Sequence, residues 1–206
     1  MKVLLVNGSP RQFGCTYTAL SEVAATLNAE GVETELLWLG TAPVSGCLAC
    51  KNCKKDGKCI IDDAVNDISA RAAEFDGFIF GSPVYFAGPS GQIQSFMDRL
   101  FHGSRGIFRG KPAAAVVSCR RGGATFAFQR LNFYFQINSM PVVSSQYWNQ
   151  VHGSTPDEVR QDVEGLQTMR TLARNMIHML RSLQAGKDAG LNAPEYEKQV
   201  YTNFIR

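Results

Sequence analysis

Three short stretches of this 206-residue chain are apolar without a break: Val3-Leu4-Leu5-Val6, Phe78-Ile79-Phe80 and Ala113–Val117. A strand with one face in water alternates apolar and polar side chains; a strand covered on both faces has no such need. These runs therefore predict central strands of a parallel sheet with helices on either side. The segments between them carry helical periodicity. Ala19, Leu20, Val23, Ala24 and Leu27 share one face of a helix over about Thr16–Glu30, and Gly31 fits its C′ stop. Asp62-Asp63 opens a helix to about Phe75, with both carboxylates near its positive end. Further helices fit Ser90–Phe101 and the aromatic-rich Ala124–Asn138. Val32–Leu39 alternates as a second strand, and Pro141-Val142-Val143 reads as a fifth, continuing into Ser144–His152. Thr155-Pro156-Asp157-Glu158 supplies a cap, a proline at the first helical position and a glutamate three residues after the cap. It predicts one long helix to about Leu183, with Val159, Val163, Leu166, Met169, Leu172, Met176 and Leu180 as its apolar stripe and Gly186 as its stop. The alternation of strands and helices implies an α/β domain over residues 1–186: a doubly wound, five-stranded parallel sheet with helices on both faces. A cysteine-rich insertion falls at 46–59 and a polar tail at 187–206.

Sheets of this kind bind ligands beyond the carboxyl ends of their strands. Three loops of unusual composition fall there. The first, Asn7–Thr18, leads from a strand into a helix, whose free backbone N–H groups and partial positive charge suit an anion. Ser9, Thr16 and Thr18 add hydroxyls, and Arg11 a two-pronged donor. The loop lacks G-x-x-x-x-G-K-[ST] and G-x-G-x-x-G, and the second strand ends Leu37-Trp38-Leu39-Gly40 without an acid to hold a ribose. A small monophosphate fits better than a nucleoside triphosphate or a tightly held dinucleotide. The plain alternative is a strand–helix turn capped by Thr16. The other two loops, Gly81–Pro89 and Ser118–Gly123, lie on the same sheet edge and favour the cradle.

A net charge of +3 is too small to imply nucleic acid or a membrane surface, and no Lys/Arg run is interleaved with aromatics. The apolar run before Gly8 is too short for a signal peptide, so the chain is expected in the cytoplasm. Its six cysteines should then be reduced unless they bind metal or carry out redox work. Four of them, Cys47, Cys50, Cys53 and Cys59, form C-x2-C-x2-C-x5-C within thirteen residues. Structural zinc usually pairs two C-x2-C knuckles across a longer gap. Three cysteines at this spacing look more like iron–sulfur ligation, and Lys51, Lys54, Lys55 and Lys58 would offset its negative charge. Four reduced thiols packing a loop remain the plain alternative. Cys15 and Cys119 read as small buried residues near the pocket.

Gly8-Ser9-Pro10-Arg11 with Gly14-Cys15-Thr16, Ser82-Pro83-Val84-Tyr85 with Phe96-Met97-Asp98-Arg99, and Gly122-Gly123 together resemble the flavodoxin-like NAD(P)H-dependent FMN reductases. The resemblance implies a flavodoxin-like fold with FMN as cofactor and NAD(P)H as co-substrate. Ser9, Arg11 and Thr16 would hold the FMN phosphate, with Gly14 and Thr18 also among the cofactor-binding residues. Cys15 stands where the family commonly has Asn and would contribute its backbone N–H. Pro83, Val84, Tyr85 and Phe86 would lie along the isoalloxazine ring, with Ser118, Gly122 and Gly123 against its pyrimidine side. No catalytic side chain is expected, because the chemistry is the flavin's. The cysteine loop resembles the iron–sulfur flavoprotein branch, which implies a [4Fe–4S] cluster on Cys47, Cys50, Cys53 and Cys59. The expected activity is hydride transfer from NAD(P)H to FMN and on to a small acceptor such as a quinone or flavin. The alternative is ferredoxin-linked electron transfer through the cluster. The third is a non-enzymatic FMN carrier, which the mildly basic balance disfavours. A homodimer or homotetramer is expected, with Tyr147 or Trp148 covering a neighbour's ring or else packed as an ordinary core aromatic. His152 is expected at the surface.

Overall fold

Residues 1–103 and 106–203 are described by a computed structural model. Five parallel strands, β1 (Lys2–Asn7), β2 (Glu33–Trp38), β3 (Gly77–Tyr85), β5 (Ala113–Cys119) and β6 (Gln150–His152), lie in the order β2-β1-β3-β5-β6. This is the flavodoxin order, with its reversal between β1 and β3. A two-residue β4 (Gly88–Pro89) turns back antiparallel on the end of β3. The helices are α1 (Cys15–Ala29), α2 (Asn52–Asp56), α3 (Ala64–Arg71), α4 (Gly91–Gly103), α5 (Ala124–Ile137), α6 (Pro156–Gln161) and α7 (Val163–Asp188). None of the described helices is long and apolar enough to cross a membrane.

The unbroken apolar runs serve two cores. Leu4, Val6, Phe78, Phe80, Ala113, Ala115 and Val117 face α4 and α5 with Phe96, Leu100 and Phe135. Their neighbours Val3, Leu5, Ile79, Ala114 and Val116 face α1 and α7 with Leu20, Leu172 and Met176. Successive strand residues point to opposite faces, so every position of a central strand must be apolar. Gly81 lets α1 come close: a Cβ there would stand 2.7 Å from Leu20 Cδ1 and 2.9 Å from Thr16 Cγ2. That approach sets Thr16 at the sheet edge.

Three expectations change. The fifth strand is Gln150–His152, pairing with Val117–Cys119; Val142 makes only an isolated bridge to Ala113. Between them Ser145 Oγ bonds the Tyr147 carbonyl and Asn149 Oδ1, closing a local turn that displaces the ladder. The single C-terminal helix is two. Asp162 leaves helical geometry (φ −76°, ψ 77°), and its carboxylate caps the second helix at Gly165 N, 2.9 Å. Val163, placed on the buried stripe by periodicity, is consequently exposed. The second helix also runs through Gly186. Gly190 (φ +81°) ends it, with Gly190 N on the Lys187 carbonyl and Leu191 N on that of Gly186. Of the two glycines, the one placed in left-handed geometry closes this paired C-terminal motif.

Candidate functional site

At the end of β1, buried Asn7 shapes the first loop from beneath. Its Oδ1 accepts from Ser9 N at 3.0 Å and its Nδ2 donates to the Gln12 carbonyl at 3.0 Å. Trp38, at the end of β2, donates its indole N–H to the Ser9 carbonyl at 2.8 Å. Ser9 Oγ accepts from Arg11 N. The α1 N-cap is Gly14, which brings no capping side chain, so the first-turn N–H groups face the loop without one. Thr16 is not the cap. It lies inside α1, buried, with Oγ1 2.8 Å from Ser118 Oγ. Thr18 turns its hydroxyl back to the Gly14 carbonyl.

The loops enclose a cleft of about 260 Å³. Ser9, Arg11, Cys15 and Thr16 line one end, Pro83, Val84 and Tyr85 a second wall, and Ser118, Cys119 and Arg120 a third, closed by Gly153 and Ser154. Among the described lining residues two are arginines and none is an acid, which suits a phosphate. Pro83 and Val84 give an apolar shelf, and Tyr85 half-exposes its ring. Polar at one end and apolar at the other, the cleft fits a flat ring carrying a phosphate. Burial pushes both thiol pKa values up, that of Cys15 and that of Cys119. Both sulfurs lie against carbonyls, Cys15 on Gly153 and Cys119 on Arg121, and His152 Nδ1 is 3.5 Å from Cys119 Sγ. At neutral pH they are protonated lining groups and not thiolates.

Gly14, Thr18, Phe86, Gly122 and Gly123 stand outside this lining. Phe86 and Ala87 form the tip of the β3–β4 hairpin with φ of 49° and 62°, and the Phe86 side chain is fully exposed. Gly123 (φ +89°) braces that tip: a Cβ there would come 2.9 Å from Ala87 Cα. No ligand-binding role follows from the sequence for Asn7, Trp38, Arg120, Gly153 or Ser154, which the fold brings to the cleft or its supports. Asn7 and Trp38 end paired strands at Asn7↔Trp38 register, a pairing that the sequence alone does not print.

The four loop cysteines line one small cavity of about 20 Å³, with Lys51, Ile60, Arg99 and His102. Asn66 fixes Cys59 by accepting from its N–H at 2.9 Å and donating to its carbonyl at 3.1 Å. Among the described residues no three His, Cys, Asp or Glu side chains are placed to share one metal ion. A tetrahedral zinc would need sulfurs within about 4 Å of one another, given its bond length of about 2.3 Å. An iron–sulfur cube takes its thiolates at wider corners. The donor set suits the cube, and the cavity must widen to hold it.

Comparison with known proteins agrees with this architecture. The family described as NADPH-dependent FMN reductase matches residues 1–154. An iron–sulfur flavoprotein of Methanocaldococcus jannaschii is 35% identical over 192 residues, covering 89% of this chain and 100% of the relative. One from Methanosarcina thermophila is 27% identical, covering 91% and 100%. In fold, the chain resembles RosB, solved with the intermediate 8-demethyl-8-formylriboflavin-5′-phosphate, at a TM-score of 0.73 and 14% identity over 100% of this chain and 93% of that one. It also resembles an archaeal flavodoxin at 0.60 and 14%, over 88% and 99%. This chain belongs to the NADPH-dependent FMN reductase family of flavoprotein oxidoreductases, in its iron–sulfur flavoprotein branch.

Proposed function

We propose that the cleft holds FMN and that the chain passes reducing equivalents from NAD(P)H to a small acceptor such as a quinone or a free flavin. The observation that carries this reading is the cleft at the β1/β3 reversal, with hydroxyls and Arg11 at one end, Arg120 on another wall and an apolar shelf at Pro83 and Val84. Bound flavin would supply hydride acceptance at N5 and release of electrons singly or in pairs. The chain's part is binding and orientation. Ser9, Arg11, Thr16 and the start of α1 take the phosphate. Pro83 and Val84 support the ring and exclude water from one face. Ser118 offers a hydroxyl, and the Gly123 turn keeps the hairpin tip in place. Cys15 and Cys119 keep their protons and transfer none. Titration of the apoprotein with FMN, followed by anaerobic mixing with NADH or NADPH, tests the reading. FMN bound at micromolar affinity and bleached by either nucleotide supports it; no FMN uptake ends it.

The second reading adds a [4Fe–4S] cluster on Cys47, Cys50, Cys53 and Cys59, acting in ferredoxin-linked electron transfer. It is favoured by four cysteines lining one cavity beside a buried arginine. Iron and sulfide counts on anaerobically purified protein decide it, and values near zero reject it. A homodimer or homotetramer accompanies either reading. Trp148 is 49% exposed and meets Tyr147 edge-on at 4.8 Å, an arrangement suited to a second copy and not to a core. A monomer by light scattering would remove that part.

A further inference from the structure

Among the described residues, the arginine that lines the cysteine cavity is bonded more completely than a structural ion pair requires. Arg99 rises from α4 with its side chain 1% exposed. A guanidinium has five N–H donors, and five contacts surround this one. Nη1 meets Asp63 Oδ2 at 2.6 Å and the Ser45 carbonyl at 3.4 Å. Nη2 meets Asp63 Oδ1 at 2.9 Å and the Ile61 carbonyl at 2.8 Å. Nε meets Cys59 Sγ at 3.3 Å. The acceptors lie on both sides of the cysteine loop: Ser45 before its first cysteine, Ile61 and Asp63 after its last. One rigid fork thus closes the base of the loop and aims its remaining donor at a sulfur.

We propose that Arg99 is a positioning residue for the cluster, holding Cys59 in place and, through its Nε–H on the Cys59 sulfur, raising the reduction potential of the bound centre. The inference rests on the iron–sulfur reading above and goes beyond it by assigning the residue that sets the potential. Its physics is direct. Reduction adds one electron, so a positive donor on a ligating sulfur stabilises the reduced form more than the oxidised one. Asp63 works against this by drawing the same guanidinium charge towards its carboxylate. Arg99 and Asp63 therefore have opposite effects on the centre, although as an ion pair each supports the other. A purely structural role predicts no such opposition.

The test uses the anaerobically purified full chain, with dithionite as the one-electron reductant and the cluster's midpoint read from its spectrum. Arg99→Lys keeps the charge and loses the fork. Its midpoint should fall by about 59 mV, a tenfold change in a one-electron equilibrium. Asp63→Asn keeps a cap for α3, whose Val65 N–H the Asp63 carboxylate accepts, and keeps the Nε contact. Its midpoint should rise. Loss of iron from Arg99→Lys with FMN uptake and melting temperature intact also supports the positioning role. If Arg99→Lys does not fold, the sign of the Asp63→Asn shift decides. Unchanged midpoints at full iron content, or a fall in Asp63→Asn, overturn the proposal while leaving the cluster standing. Wild-type protein without iron or sulfide removes the reading beneath it, and the proposal with it.

Discussion

Thr16 Oγ1 and Ser118 Oγ lie 2.8 Å apart, both buried, joining the loop after β1 to the end of β5 across 102 positions of sequence. Each hydroxyl has one hydrogen, and one suffices for the bond between them. The second O–H is left to donate into the cleft they both line. Thr16→Val keeps the shape and removes that donor. FMN affinity should fall roughly tenfold, for about 1–1.5 kcal/mol of a hydrogen bond, as read by quenching of flavin fluorescence on titration. Ser118→Ala should cost a similar amount, and the double variant less than the sum.

Trp38 holds the Ser9 carbonyl from the neighbouring strand, so it shapes the loop after β1 without lining the cleft. Trp38→Phe should weaken FMN binding by roughly threefold to tenfold, one neutral hydrogen bond. Isothermal titration measures the change. An affinity equal to wild type would show that Asn7 alone fixes the loop.

Gly123 leaves little room for a side chain, with φ of +89° and the Ala87 backbone 2.9 Å from a Cβ. Gly123→Ala should destabilise the protein by about 1–2 kcal/mol from the left-handed backbone alone. Thermal melting should drop by roughly 2–4 °C per kcal/mol. Because the displaced element is the hairpin bearing Tyr85, FMN binding should weaken as well.

Glu35 gives the fold an acid-sensitive contact. Its hydrogen bonds to Arg71, at 2.7 and 2.9 Å, hold the carboxyl down at about 2, from an ordinary 4.5. The stability it contributes is present above pH 4.5 and is lost as pH falls towards 2. Glu35→Gln should lower the melting temperature at pH 7 by roughly 2–4 °C, a solvent-screened pair. It should also flatten the melting curve's dependence on pH between 4.5 and 2. Melts at a series of pH values separate the variant from wild type.

The central strands were legible in the sequence because burial on both faces leaves no polar position, as Val3–Val6 and Phe78–Phe80 show. The place of the first loop on the cleft was legible too, since Ser9, Arg11 and Thr16 all line it. The edge strand was not. Pro141-Val142-Val143 has the better strand composition, but Gln150–His152 has the partner, and pairing is a tertiary fact. Asp162 was hidden in a helical pattern because a cap inside a periodic stripe changes two residues and leaves the stripe nearly intact. Phe86 reads as a ring platform from its neighbours in sequence, yet the reversal at Phe86-Ala87 carries its side chain outward.

The carboxylate of Asp162 does more than start a helix. One oxygen takes Gly165 N, and the other takes His152 N at 2.7 Å, next to the Gly153 that closes the cleft. The edge of the binding wall is therefore moored to the C-terminal helix, and both the mooring and the helix lie beyond residue 154, where the family match ends. The segment that the family model matches lacks one wall of its own core. A chain ended at 154 would lose the lid over Val3, Leu5 and Ile79 that Leu172 and Met176 provide, and should be recovered as aggregate. In this protein the part that the family model matches borrows its solidity from the part that follows it.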